Sequence, residues 1–185
     1  MNGTSATVIP NLHGYGCLNS VLKLVNDNNC IDIVELHSPH GRIGYNLCSE
    51  FDEINVTSIC KNWDHDPATI GNLTCVHDWS SNIVSNFEDG ELDLVFIHDH
   101  DAPQDDLYGT LREWLKKIKP GGVMCGRHFG METSHMSAKA YALYEFARTE
   151  SLVIDCVGGD TFVCYNTPLK ETSGKAPIRM LPLND

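Results

Sequence analysis

Two histidines and two aspartates follow an apolar run in the segment VFIHDHDAPQDDL (residues 95–107). Histidine titrates near neutral pH, so a histidine at the end of a strand can serve as a general base. Imidazole and carboxylate groups together can also bind a transition metal. The sequence therefore indicates candidate catalytic residues and candidate metal ligands. The catalytic candidates are His98, His100 and His128, and the metal candidates are His98, Asp99, His100 and His128.

A structural interpretation of the same residues stays open. Histidines at strand ends often hydrogen-bond to loop backbone, and a polar cluster can simply be solvated. Residues two apart on a strand point to the same side, as His98 and His100 would. Such spacing by itself is weak evidence for a metal site.

Short apolar runs alternate with amphipathic stretches along most of the chain. Leu107, Leu111, Trp114, Leu115 and Ile118 recur at helical spacing, with Lys116 and Lys117 in the last turn, where the helix dipole favours cations. A second such helix is expected over 134–150, and a third over 41–51. The expected strands are 31–37, 55–60, 73–78, 92–99, 121–129, 152–157 and 161–166.

This alternation predicts an α/β fold with a Rossmann-like, mainly parallel sheet, helices on both faces and a C-terminal antiparallel hairpin. We expect one domain over 1–185, with a core at about 30–165 and a loosely packed surface tail at 168–185. The apolar run at 92–97 predicts the central strand. Ligands of such sheets bind outside the carboxyl ends of the strands, where residues 98–101 would lie.

Composition narrows the class of partner. The net charge of −12 argues against nucleic acid and anionic membranes, since phosphate binding needs clustered basic residues. No apolar run reaches the length of a membrane span, and the start of the chain does not resemble a signal peptide. The eight cysteines are scattered singly, which favours reduced thiols and a cytoplasmic location. We expect a small-molecule substrate, and homo-oligomerisation stays open.

Several segments resemble one family in order and spacing. LDLVFIHDHD, then a helix, then LKKIKPGGVMCGRHF is similar to the second half of class I S-adenosylmethionine-dependent methyltransferases. It most resembles a short branch that reads roughly DLVFIDGDH and LKPGGVLCGHDF. IVELHSPHGRIGYNL and VTSICKNWDHDP resemble that branch's first motif and second strand. The resemblance covers about residues 30–165 and implies this fold with S-adenosylmethionine as cofactor.

The resemblance also implies cofactor-binding positions, and two of them depart from the family pattern. His37 stands where the family has a glycine, and Cys60 stands where it has an acid that binds both ribose hydroxyls, with Asp64 and Asp66 nearby as substitutes. Asp78 matches the position that typically contacts the adenine amine. The implied cofactor-binding residues are Glu35, His37, Gly41, Cys60 and Asp78.

Three functions remain open from the sequence. The first is methyl transfer from S-adenosylmethionine to a small-molecule or sugar-like hydroxyl, with or without a divalent metal. The second is a catalytically degenerate methyltransferase fold that serves as a binding or assembly module. The third is a metal-dependent enzyme of another reaction type. If the first, fourth and fifth strands are neighbours, His37, His40, His98, His100 and His128 converge on one rim, where metal binding would favour zinc, iron, nickel or manganese over magnesium.

Overall fold

The computed structural model describes residues 18–38, 41–61, 70–98, 107–127, 138–157, 161–167 and 178–181. Its helices are α1 (Leu18–Asn28), α2 (Arg42–Glu50), α3 (Ser80–Ile83), α4 (Leu107–Lys117) and α5 (Ala138–Thr149). Its strands are β1 (Asp32–Leu36), β2 (Asn55–Ile59), β3 (Leu73–Val76), β4 (Leu92–His98), β5 (Ile118–Arg127), β6 (Ile154–Val157), β7 (Thr161–Tyr165) and β8 (Ile178–Leu181).

These strands form one eight-stranded sheet in the order β3-β2-β1-β4-β5-β7-β6-β8. The pairs from β3 to β5 are parallel, whereas β7 is antiparallel to both β5 and β6. The predicted α/β class, the central β4 strand and the antiparallel C-terminal pair are therefore confirmed. β1, β4 and β5 are neighbours, so their carboxyl ends share one edge.

Helices cover both faces of the sheet, as predicted, and an apolar cluster lies between the sheet and the helices on each face. On one face α4 and α5 pack against the sheet through side chains such as Trp114 and Phe146. On the other face α1 and α2 pack through Val21, Val25 and Leu47. Since α1 lies upstream of residue 30, the packed core begins earlier in the chain than the sequence predicted.

The C-terminal tail corrects a second expectation. We expected residues 168–185 to pack loosely on the surface, but Ile178–Leu181 forms β8 and pairs in parallel with β6. This short segment pairs with the edge of β6 through backbone groups. Backbone pairing does not require apolar side chains, so the polar composition of the tail did not indicate a strand.

The KPGG segment (residues 119–122) lies in the first half of β5, where its pairing with β4 is irregular between Leu92 and Leu94. A Cβ atom on Gly122 would lie 2.8 Å from the backbone oxygen of Asp93 and 2.6 Å from the Cγ2 atom of Ile118. Gly121 has a φ of 84°, in the left-handed region that glycine adopts at little cost. The two glycines thus let β5 run close against β4 where the register of the two strands shifts.

No helix in the described part of the chain is long and apolar enough to cross a membrane.

Candidate functional site

The candidate site lies at the carboxyl edge of β1, β2, β3 and β4. Of the residues predicted from the sequence, the structure describes six, and they lie on or just after these four strands: Glu35, His37, Gly41, Cys60, Asp78 and His98. The other candidates lie outside the described residues: His40, Asp64, Asp66, Asp99, His100, Asp101 and His128.

Glu35 is the centre of a buried polar network on β1. Its carboxylate accepts hydrogen bonds from the backbone N–H groups of Ile43 (3.3 Å) and Gly44 (3.0 Å) and from the Ser58 hydroxyl (2.8 Å). Helix α2 begins after Gly41, which has no side chain to cap the helix. Glu35 therefore caps α2 from a neighbouring strand, and its negative charge faces the positive end of the helix dipole.

The absence of a Cβ atom at Gly44 makes this approach possible. A Cβ atom there would lie 3.1 Å from Glu35 Oε2 and 2.9 Å from the Cδ1 atom of Leu73. Glycine at this position lets α2 settle against the sheet with its first N–H groups within reach of the carboxylate.

Glu35 is fully buried and its carboxylate is held in the charged form. Burial raises the pKa of Glu35, but the hydrogen bond and charge of His98, with the bonds from Ser58 and Gly44, outweigh burial and lower it below its ordinary value of 4.5. The carboxylate oxygens are thus engaged within the protein. Glu35 orders the start of α2 and does not face solvent at the sheet edge.

His98 ends β4, and its side chain is only 5% exposed. Its Nε2 atom lies 3.4 Å from Glu35 Oε1, and its ring packs edge-on against Phe96 with centroids 4.7 Å apart. A solvated position at the sheet edge was one of the interpretations left open by the sequence, and the structure shows instead that His98 is buried. Truncation of the imidazole would leave the buried Glu35 charge without this neighbour.

His37 follows β1 and holds an uncommon backbone conformation. Its φ is 58°, in the left-handed region that disfavours residues other than glycine. Its side chain is buried, and Nε2 lies 3.1 Å from the Ser80 hydroxyl oxygen, a hydrogen bond whose donor depends on the imidazole tautomer. The side chain thus runs from the end of β1 to the start of α3.

Cys60 and Asp78 end the next two strands of the sheet. Cys60 is buried, and its backbone N–H donates to the Val76 carbonyl at 3.1 Å. A single thiol cannot accept hydrogen bonds from two ribose hydroxyls as a carboxylate does. At this position the described residues do not reproduce the family's ribose contact.

Asp78 is half-buried, and two neighbouring groups bind one of its carboxylate oxygens. Its Oδ1 atom accepts hydrogen bonds from the Trp79 N–H (2.7 Å) and the Asn82 amide (2.8 Å), which lower its pKa. Among the described residues none donates to Oδ2. An amino group could therefore bind this second oxygen without displacing the bonds that fix the side chain.

The sequence did not indicate two hydrogen-bond partners of the candidate residues. Ser58 and Ser80 are both buried and bind Glu35 and His37. The signal for Ser58 was weak: it is a polar residue within the apolar strand NVTSIC. Ser80 lies at a helix start, where serine is common for local reasons, so its partner could not be read from the sequence.

A metal site finds no support among the described residues, which hold no group of three or more histidine, cysteine, aspartate or glutamate side chains able to share an ion. His98 is the one member of the candidate set in the described ranges, and its Nε2 atom faces Glu35. The remaining candidate ligands fall in parts of the chain that the structure does not describe.

No family model matches the sequence, and no curated protein is significantly similar to it. Solved structures, in contrast, match over most of the chain. A Staphylococcus aureus protein provisionally designated a caffeoyl-CoA O-methyltransferase has a TM-score of 0.64 and 13% identity, covering 85% of this chain and 84% of that one. The O-methyltransferase TomG from Streptomyces achromogenes, in complex with S-adenosylmethionine, has a TM-score of 0.59 and 15% identity, covering 81% and 79%.

A third structure belongs to an enzyme with another name. Spermidine synthase from Thermotoga maritima has a TM-score of 0.57 and 11% identity, covering 78% of this chain and 57% of that one. Identities this low establish shared architecture, and one architecture can serve different reactions. Both the strand order and these matches lead to the same conclusion: the chain has the fold of the class I S-adenosylmethionine-dependent methyltransferases.

Proposed function

We propose that this protein transfers a methyl group from S-adenosylmethionine to a hydroxyl group of a small molecule. The observation that carries the proposal is the match of most of the chain to O-methyltransferase structures, one of them bound to S-adenosylmethionine. The net charge of −12 favours a small-molecule acceptor over a polyanion.

The described residues fit the cofactor at two positions and depart from it at two others. Gly41 has a φ of 55° and lets the chain turn into α2 without a side chain in the way, and Asp78 Oδ2, which receives no hydrogen bond from the described residues, would accept one from the adenine amine. His37 and Cys60 do not reproduce the expected contacts. Glu35 supports the site indirectly, because it fixes the start of α2.

Catalysis in this proposal depends on positioning and on a base. S-adenosylmethionine would supply an electrophilic methyl group, and the chain must hold the acceptor hydroxyl in line with it. A histidine near the sheet edge would accept the hydroxyl proton. His98 is buried against Glu35, so we assign the base to His100 or His128 rather than to His98.

Calorimetric titration with S-adenosylmethionine tests the cofactor. We expect saturable binding by the wild type and at least a several-fold weaker affinity for Asp78→Asn. Asp89→Asn is the matched control: it alters an exposed carboxylate that pairs with Lys117 near the start of β4, at the opposite end of the strands. A folded wild-type protein that binds neither S-adenosylmethionine nor S-adenosylhomocysteine would refute the proposal.

A second candidate function is a binding or assembly module on a degenerate methyltransferase fold. The observation in its favour is that His37 and Cys60 stand where the family has a glycine and an acid. Both residues are buried at the end of their strands. It requires a folded protein without affinity for the cofactor, so the same titration separates the two candidates. Homologues that vary freely at Asp78, His98 and His128 would also favour the module.

Metal assistance remains a separate proposal, since the divalent ion would have to be bound by His98 with Asp99, His100 or His128. Elemental analysis of protein purified without chelators tests it. A stoichiometric transition metal supports the site. Protein that contains none and takes up none on dialysis contradicts it.

A further inference from the structure

The side chains of His37 and Ser80 together span the carboxyl end of β2. The His37 N–H donates to the Ile59 carbonyl (2.8 Å) and the Cys60 N–H to the Val76 carbonyl (3.1 Å), so β1, β2 and β3 end side by side. Two strand spacings separate β1 from β3, about 10 Å. The imidazole of His37 and the hydroxyl of Ser80 cover that distance and meet at 3.1 Å.

All three residues at this point are closed off from solvent. His37 is 3% exposed, Ser80 is 4% exposed, and Cys60, at the end of β2, is 1% exposed. In sheets of this kind the crevice beyond the carboxyl ends of the strands is where ligands bind. Among the described residues, the buried imidazole of His37 and hydroxyl of Ser80 occupy the space beside the end of β2.

The backbone of His37 shows that its packing holds it against a conformational cost. A residue other than glycine at a φ of 58° carries a conformational cost that its surroundings must offset. The buried position of the imidazole and its hydrogen bond to Ser80 are part of those surroundings. Glycine would adopt the same backbone without the cost and without the side chain.

We propose that His37 controls access to the nucleoside part of the site: its side chain, held by Ser80, covers the end of β2 and must swing aside before an adenosyl group can bind. This inference rests on the proposed function for the identity of the ligand. It makes His37 a specificity-determining residue, since removal of the imidazole opens space where a ribose would lie.

Calorimetry with S-adenosylhomocysteine and with adenosine, on wild type and His37→Gly, tests the inference. We expect His37→Gly to bind both probes at least tenfold more tightly than the wild type, because no side chain has to be displaced. Ser151→Gly is the matched control. It relieves the same kind of left-handed backbone, with a φ of 55°, at an exposed turn after α5, and its affinity should equal that of the wild type.

The outcomes separate this inference from the proposed function. Tighter binding by His37→Gly supports the inference, whether the wild type binds weakly or not at all; in the second case the proposed function fails and the inference stands. Equal or weaker binding by His37→Gly overturns the inference, and the proposed function stands wherever the wild type binds. If neither protein binds either probe, both are overturned.

A second variant covers the case in which His37→Gly does not fold. Ser80→Ala keeps the imidazole but removes its hydrogen-bond partner on α3, so the side chain should move aside more readily. We expect a several-fold gain in affinity for S-adenosylhomocysteine. An affinity equal to that of the wild type would contradict a covering role for the His37–Ser80 contact.

Discussion

At the scale of single residues, Glu35 is the group on which the site's order depends. Its carboxylate accepts three hydrogen bonds and lies beside His98. Glutamine has one acceptor oxygen, and its amide N–H₂ would face donors. We expect Glu35→Gln to lower the free energy of unfolding in urea by about 3 kcal/mol.

Glu50→Gln is the matched control, because it makes the same chemical change at an exposed position at the end of α2. It should shift the free energy of unfolding by no more than about 0.5 kcal/mol. Equal stability of the two variants would show that the buried carboxylate contributes nothing beyond its shape.

The pH dependence of the stability difference between wild type and Glu35→Gln reports the charge state of Glu35. Since the pKa of Glu35 is lower in the folded protein than its ordinary value of 4.5, the unfolded chain binds more protons near that pH. The stabilisation from Glu35 is therefore complete above the unfolded pKa and is lost as the pH falls through the folded pKa. The stability difference between wild type and Glu35→Gln should narrow below about pH 4.5 in urea titrations. A constant difference would indicate that Glu35 has the same pKa in the folded and the unfolded chain, and a difference that narrows as the pH rises would indicate a carboxyl group kept neutral in the fold.

At the scale of elements, α1 extends the core beyond the predicted boundary. Val25 is buried in the cluster that α1 shares with α2 and the sheet, whereas Lys23 on the same helix is exposed. Val25→Ala should lower the free energy of unfolding by about 2 kcal/mol. Lys23→Ala should change it by less than about 1 kcal/mol, since its ion pair with Asp27 is exposed. Similar values for the two variants would show that α1 is not part of the cooperative unit.

At the scale of the whole molecule, the layered fold protects its thiols. Six cysteines have described side chains, and none of the six is bonded to another described cysteine. Burial raises the pKa of Cys30 to about 11 and that of Cys164 to about 12, so little reactive thiolate forms near neutral pH. Thiol titration of never-oxidised protein should find all eight cysteines after denaturation and fewer in the native state. Fewer than eight after denaturation would reveal a disulfide.

What the sequence determined by itself is the set of elements and their order. The helical spacing of Leu111, Trp114 and Leu115 predicts α4, because this spacing is a property of neighbouring residues in the chain. The apolar run of β4 predicts a central strand. Strands alternating with helices then permit few topologies. The same local signals failed at α1, which was not predicted, and at β8, whose place depends on an edge offered by β6.

Only the tertiary structure decided which side chains face one another. Glu35 and Ser58 are directly paired across β1 and β2, and Glu35 is paired with Phe96 on β4, two residues before His98. That register places the acid, the hydroxyl and the imidazole on one side of the sheet, under the start of α2. Residues distant in the chain carry no mutual spacing signal, because strand register and the left-handed turn at His37 are set by packing of the whole sheet. The sequence thus indicated the edge where a site belongs, and packing decided that Glu35 and His98 are buried within it and that His37 meets Ser80.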